Sequence, residues 1–206
     1  MRLYFKPGAC SLAPRIVMAE LGIDHESIAV DTAAGLTATG QPYEAINPRG
    51  YIPALELDDG TVITENPAIL QYLGDLQPAA GMAPPAGTLE RIRLQQWLNF
   101  ISAELHKAFS PFFKGRDLAP AERDEALAGL SRRIGDVEHA LDDGYLFLLG
   151  DQFSVADAYL FVVLNWAGYI GVDLNPWPHV SAYVAGLAKR PAIRSAMAAE
   201  GLLEAA

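Results

Sequence analysis

The chain changes its period once. Through residue 76, short apolar runs alternate with helix-spaced patterns, and from Thr88 onward every repeat is helical. Between them lie Pro78, Gly81, Pro84, Pro85 and Gly87. Proline lacks an amide donor and glycine resists a fixed conformation, so neither helix nor strand accommodates that density. Such a pattern predicts an α/β domain over residues 1–77, a linker over 78–87 and an all-helical domain over 88–206. With 206 residues, 51% of them hydrophobic, the chain is long enough to build both cores.

Within the first region, Arg2 to Lys6 reads as a strand, and Ser11 to Leu21 as a helix ended by Gly22. Ser27 to Val30 is a second strand. Thr32 to Gln41, small and polar with Gly35 and Gly40, reads as a loop leading to a short helix near Tyr43 to Ile46. Two apolar runs, Pro53 to Leu57 and Thr61 to Thr64, flank Asp58-Asp59-Gly60, a hairpin signal. Asn66-Pro67-Ala68 then has the form of a capped helix start, with proline at the first position. The order βαβ, short helix, hairpin, helix is that of a four-stranded thioredoxin-like domain.

In the second region, Leu89, Ile92, Trp97, Phe100, Ile101 and Leu105 predict one long amphipathic helix capped by Thr88. Ala121 to Leu141 is a second helix. Ser154-Val155-Ala156-Asp157 has capping-box form and opens a strongly apolar helix, Ala158 to Trp166. Two more helices begin at Pro178 and Pro191.

Charge narrows the function. Fifteen basic against 25 acidic residues leave a formal charge of −10, and no Lys/Arg cluster follows a phosphate backbone, so nucleic acid is not an expected partner. No apolar run reaches the length of a membrane span, and no signal-peptide pattern precedes the first strand. A single cysteine forms no internal disulfide, which fits a reducing, cytoplasmic setting.

That cysteine, Cys10, lies in a loop entering the first helix, beside Pro7-Gly8 and Ser11. Helix-terminal amides favour a thiolate there, or an anionic sulfur belonging to a substrate; the alternative is a thiol that merely fills core space. Ile52-Pro53 precedes the hairpin; from the sequence alone the bond reads as trans, whereas analogy with thioredoxin-like folds makes the proline cis and presents the preceding backbone amide and carbonyl to a thiol. Glu65-Asn66 either caps the last helix of the domain or holds an ammonium and a carboxylate. Asn99, Ala103 and His106 recur at spacings of four and three on one helical face, either solvated surface or a polar line whose histidine transfers protons near neutral pH. His25, His106, His139 and His179 are scattered, so no metal site is expected. A second cysteine of C-x-x-C and a G-x-S-x-G elbow are both missing.

These residues carry a resemblance. The runs Tyr4-Phe5-Lys6-Pro7-Gly8-Ala9-Cys10-Ser11-Leu12, Asn47 to Leu55, Asp58-Asp59-Gly60, Trp97 to Ile101, Glu104-Leu105-His106-Lys107 and Phe153 to Tyr159 resemble bacterial beta-class glutathione transferases over essentially the full length. The resemblance implies glutathione as co-substrate, no metal and a homodimer. It places Cys10 beside the glutathione sulfur, in reach of a mixed disulfide, with His106 donating to or accepting from that sulfur. Ile52 and Pro53 would pair with the cysteinyl moiety, and Glu65 and Asn66 would hold the γ-glutamyl end. Asn99, Ala103, Glu104, Leu105 and His106 would line the site. The order of the first run argues against Tyr4 as the activating hydroxyl of tyrosine-type relatives.

One departure stands out: Gly35 occupies a position where the class often has a lysine, leaving Arg15 or Lys107 as candidate replacements. At position 66 the class more often has Ser or Gly. The expected function is conjugation of glutathione thiolate to hydrophobic electrophiles, in a detoxifying role, with Phe109, Phe113 and Tyr169 either walls of the second-substrate cleft or core residues. Two other readings remain open: a glutaredoxin-like thiol-disulfide oxidoreductase using Cys10, and a non-catalytic binder of apolar ligands.

Overall fold

The computed structural model describes residues 1–203. Contacts divide them into two units, one formed by Met1–Ala83 together with the segment from Lys189 onward, the other by Pro84–Ala188.

The first unit is built on a mixed sheet of order β3-β2-β1-β4-β5. Strand β1 (Arg2–Phe5) is central, parallel to β2 (Glu26–Asp31) and antiparallel to β4 (Ala54–Glu56), with Tyr4 opposite Ile28 on one side and Ala54 on the other. The expected hairpin joins β4 to β5 (Val62–Thr64). Gly60, at φ 85°, supplies the left-handed turn residue, and Asp59 accepts the Thr61 amide at 2.8 Å. The Thr32 to Gln41 loop contains an additional two-residue strand, β3 (Leu36–Thr37), so the sheet has five strands rather than four. Its small polar residues pair with each other: Thr37 Oγ1 accepts the Gln41 amide and bonds Thr39.

Helix α1 (Leu12–Leu21) buries Leu12, Ala13, Ile16 and Val17 and ends on left-handed Gly22, whose successor donates back to Met18. It packs against α2 (Asn66–Leu76). Against the sheet, Tyr4, Val30, Tyr43 and Ala54 form an apolar cluster joined by Ile28, Ile46, Ile52 and Val62.

The second unit comprises α3 (Leu89–Phe100), a π-helical turn (Ile101–Leu105), α4 (His106–Phe109), α5 (Pro120–Ala140), α6 (Val155–Tyr169) and α7 (Pro178–Leu187). Thr88 caps α3 through the Arg91 amide. The buried stripe along the first helices is Leu94, Leu98, Ile101, Leu105 and Phe109, while Leu89 and Ile92, expected on it, are exposed. Apolar all round, α6 is buried from Val155 to Leu164. Its capping motif takes a one-armed form: Asp157 accepts the Ser154 amide at 2.8 Å and the Ser154 hydroxyl at 2.6 Å. The other oxygen accepts the Leu148 amide at 2.9 Å and the Tyr183 hydroxyl at 2.6 Å, which fastens α7.

The C-terminal helix, α8 (Pro191–Ala199), differs from expectation. Read as part of the helical domain, it packs on α1 and belongs to the first unit. Local periodicity cannot say which partner an apolar face will find. Here Ile193, Ala196 and Met197 are buried, and Arg190 pairs with Glu20 at 2.8 Å. Among the described residues, no helix is long and apolar enough to cross a membrane.

Because Asp157 satisfies four donors inside the core, Asp157→Ala leaves all four unpaired. The expected loss is at least about 3 kcal/mol of stability, read from the shift in urea midpoint.

Candidate active site

In the first unit, sequence-distant segments converge on Cys10. The loop leaves β1 at Lys6 and enters α1 at Ser11, whose hydroxyl accepts the Lys6 amide and donates to the Lys6 carbonyl, both at 3.2 Å. This closes the base of the loop. Cys10 is largely buried, and its Sγ donates toward the Ile52 carbonyl oxygen at 3.7 Å. The Ile52–Pro53 peptide is cis. Just upstream, the Tyr51 carbonyl accepts from the Tyr43 hydroxyl at 2.9 Å and from Asn47 Nδ2 at 2.6 Å, so the Ile52 backbone is anchored from the core side.

Asn66 does not cap its helix as the sequence suggests. It is the first residue of α2, and its Nδ2 donates to the Cys10 carbonyl at 3.0 Å, while Oδ1 is buried without a hydrogen-bond partner. The preceding Glu65 occupies the cap position at φ 68°, the one non-glycine residue with positive φ among those described. Holding a side-chain-bearing residue there costs about 1–3 kcal/mol, and such strain concentrates at functional sites. The Glu65 carboxylate is exposed, 3.8 Å from Arg49. Cys10, Ile52, Pro53, Glu65 and Asn66 are therefore brought together, at a helix N-terminus whose amides favour anions.

One suggestion from sequence fails here, and the expectation that Tyr4 is not the activating hydroxyl fits the geometry. Arg15 is no surface cation able to replace a lysine at position 35, because it is buried and paired with Glu200. Tyr4 is also buried, and its hydroxyl donates to Glu56 at 2.6 Å; burial first, then that carboxylate, pushes its pKa up to about 12. Its hydroxyl is committed to Glu56.

In the second unit, the π turn changes the expected face. Each π turn inserts one residue relative to an α-helix, displacing all later side chains by ~100°. Asn99 and Ala103 are exposed, and Asn99 Nδ2 donates back to the Gln95 carbonyl. Glu104 pairs with Arg133 at 2.8 Å, and Leu105 is fully buried. His106 turns inward: Nδ1 lies 2.9 Å from the Tyr159 hydroxyl, and its ring meets Trp166 edge to face at 4.7 Å. Tyr159 was missed as its partner, although a hydroxyl in an otherwise apolar buried helix must find one. Burial, then the neighbouring charge of Lys107, lowers the His106 pKa to about 4. It is neutral at physiological pH. Of the residues read as either cleft wall or core, Phe109 is core, packed against Trp166, whereas Phe113 and Tyr169 are exposed.

Family comparisons agree with these features. Residues 8–76 match the glutathione S-transferase N-terminal domain and residues 120–186 the C-terminal domain. Glutathione S-transferase GstA of Escherichia coli O157:H7 is 41% identical, over 98% of this chain and 100% of that protein. The chain belongs to the glutathione S-transferase family. It is thus an enzyme of the transferase class, with a thioredoxin-like domain and a helical one. A solved bacterial beta-class glutathione S-transferase from Sphingomonas chungbukensis shares 42% identity at a TM-score of 0.94, covering 98% of this chain and 100% of that one. A sphingomonad glutathione S-transferase solved in complex with glutathione shares 42% at 0.93, with the same coverage. The beta-class resemblance read from the Cys10 and His106 runs is borne out. Among the described residues, no cluster of metal-ligating side chains occurs in this transferase.

An NMR titration of the four histidines will place the His106 midpoint near 4. Between that value and the ordinary 6.5, the unfolded chain binds a proton that folded His106 refuses, so the residue withdraws stability as pH falls through this window. His106→Asn abolishes that resonance and its share of the acid destabilisation.

Proposed function

We propose that this transferase binds reduced glutathione and directs its thiolate at hydrophobic electrophiles, as a cytoplasmic homodimer in a detoxifying role. The convergence of the Ile52 carbonyl and the N-terminus of α2 on Cys10 is the main support, together with the glutathione held by the sphingomonad relative. The Ile52-Pro53 backbone pairs with the cysteinyl moiety, Glu65 accepts from the γ-glutamyl ammonium, and the α2 N-terminus receives its carboxylate. Since the Asn66 side chain is spent on Cys10, residue 66 contributes through its backbone.

From the helical unit, His106 acts as a neutral hydrogen-bond partner of the glutathione sulfur rather than as a cation. If Tyr159 donates to Nδ1, the Nε2–H donates to the thiolate; in the other tautomer, Nε2 accepts the thiol proton. Asn99, Ala103 and Glu104, exposed on α3 and the π turn, complete the lining, part of it presented by the second copy of the dimer, while buried Leu105 supports that turn from the core side. In the reaction, sulfur forms a bond to the electrophilic carbon and the leaving group departs with its electron pair, the thiol proton having passed to solvent. Lowering of the thiol pKa and proximity supply the rate.

A second reading is favoured by the aim of Cys10 Sγ at the backbone that would pair with the cysteinyl moiety. There the Cys10 thiolate attacks a glutathione mixed disulfide, forming Cys10–S–S–glutathione and releasing the other thiolate. A second glutathione thiolate then releases oxidised glutathione and restores Cys10.

Both activities are measured on wild-type protein and Cys10→Ala, with an activated aryl chloride and a small mixed disulfide. Conjugation should persist in Cys10→Ala within about threefold, while disulfide reduction is lost. Dominant disulfide reduction in the wild type would reverse the assignment, and neither activity would leave a ligand-binding role.

Gly35 bears on affinity. It sits at φ 69° with open space where a Cβ would stand. Gly35→Lys should therefore lower the glutathione KM by about tenfold with kcat unchanged, since a restored charge-assisted contact contributes about 1.5–3 kcal/mol. The left-handed backbone makes that variant less stable, visible as a lower Tm.

A further inference from the structure

One carboxylate near the end of the chain is committed to the Cys10 loop and to the helix after it. Glu200 Oε2 accepts the Gly8 amide at 2.9 Å, and Oε1 accepts from Arg15 Nε at 2.9 Å. The Glu200 side chain is wholly buried and that of Arg15 is 9% exposed. Burial pushes the Glu200 carboxyl up, against the two donors that hold it ionised.

As a device for stability the pair is poor. Arg15 Nη2 is buried without a hydrogen-bond partner, and the guanidinium face lies 4.3 Å over the Phe5 ring. Buried ion pairs recover their desolvation cost only when geometry and hydrogen bonding are complete, and apolar residues dock helices at least as well. An apolar residue, however, cannot accept the Gly8 N–H. Gly8 turns the loop at φ 73°, two residues before Cys10. The loop is thus gripped at Ser11 with Lys6, at Asn66 with the Cys10 carbonyl, and at Glu200 with Gly8.

We propose that Glu200, through the acceptor oxygen it offers the Gly8 amide, is a positioning residue that fixes the loop so that the Cys10 thiol stays aimed at the Ile52 carbonyl. The placement of the thiol is independent of any substrate; its effect on glutathione chemistry rests on the function proposed above.

Cys10 is the one cysteine in the sequence, so the protein has a single S–H stretching band in the infrared. The band is recorded without glutathione for wild type, Glu200→Ala and two double variants that remove the buried charge: Arg15→Met with Glu200→Gln, and Arg15→Met with Glu200→Met. Gly8 amide exchange is followed by NMR in the same samples. Gln keeps a carbonyl oxygen for Gly8, whereas Met fills the space without an acceptor.

The Gln double variant should keep the wild-type band. Glu200→Ala and the Met double variant should move it toward the solvated-thiol position, with Gly8 exchange faster by about tenfold or more. Should Glu200→Ala fail to fold, the Gln and Met double variants still decide the matter. Identical bands in those two, or a wild-type Gly8 amide exchanging at the rate of an unstructured chain, would overturn the proposal. A band that moves while conjugation stays constant upholds the positioning of Cys10 and counts instead against a role for Cys10 in conjugation.

Discussion

A single buried hydrogen bond, from Asn66 Nδ2 to the Cys10 carbonyl, ties together two segments that converge on Cys10 in the first unit. One is the turn from β1 into α1, and the other is the passage from β5 into α2 through the strained backbone of Glu65. The bond has a cost, because Asn66 Oδ1 is left buried and unsatisfied, a loss of about 1–3 kcal/mol. A residue retained at that expense fixes geometry more than it adds stability. The opposite wall is set separately, by Tyr43 and Asn47 holding the Tyr51 carbonyl beside Ile52. Cys10 therefore stands in a frame whose members are each held by hydrogen bonds to other parts of the first unit.

The features legible in the sequence are those that local physics decides. The hairpin at Asp58-Asp59-Gly60, the end of α1 at Gly22 and the cap at Thr88 each rest on a few adjacent residues with special dihedral or capping chemistry. Cys10, Ile52, Pro53, Glu65 and Asn66 were legible as candidates through their neighbours, and the structure gathers them. Long-range choices were not. Asn66 looks like a cap because Asn before Pro is a good one, and only the nearby Cys10 carbonyl redirects it. Likewise, nothing local to Pro191–Ala199 reveals that its apolar face meets α1.

The π turn at Ile101–Leu105 shows a different limit. A helical wheel drawn through Asn99, Ala103 and His106 assumes 3.6 residues per turn throughout, and one inserted residue defeats it. The consequence is chemical as well as geometric. Turned inward against Tyr159 and Trp166, His106 loses hydration and with it the proton it would carry near neutrality. A histidine chosen from sequence for its titration near pH 7 thus becomes a neutral, oriented hydrogen-bonding group. Orientation then matters more than charge, and the Tyr159 hydroxyl, by selecting which ring nitrogen bears hydrogen, sets whether Nε2 donates or accepts.

The order of the chain adds a last constraint. Gly8 and Glu200 are separated by 192 residues, yet the bond between them belongs to the first unit. Closing so long a loop carries an entropic cost that the shorter-range contacts within the sheet and α1 do not. The Cys10 loop can form its Ser11 and Asn66 anchors from residues 1–76 alone, but the bond from Gly8 to Glu200 forms only when α8 docks. Until then a thiol near a helix N-terminus sits on an incompletely held turn. Assigning the last helix to the unit that bears the cysteine therefore couples completion of the thiol's surroundings to completion of the fold.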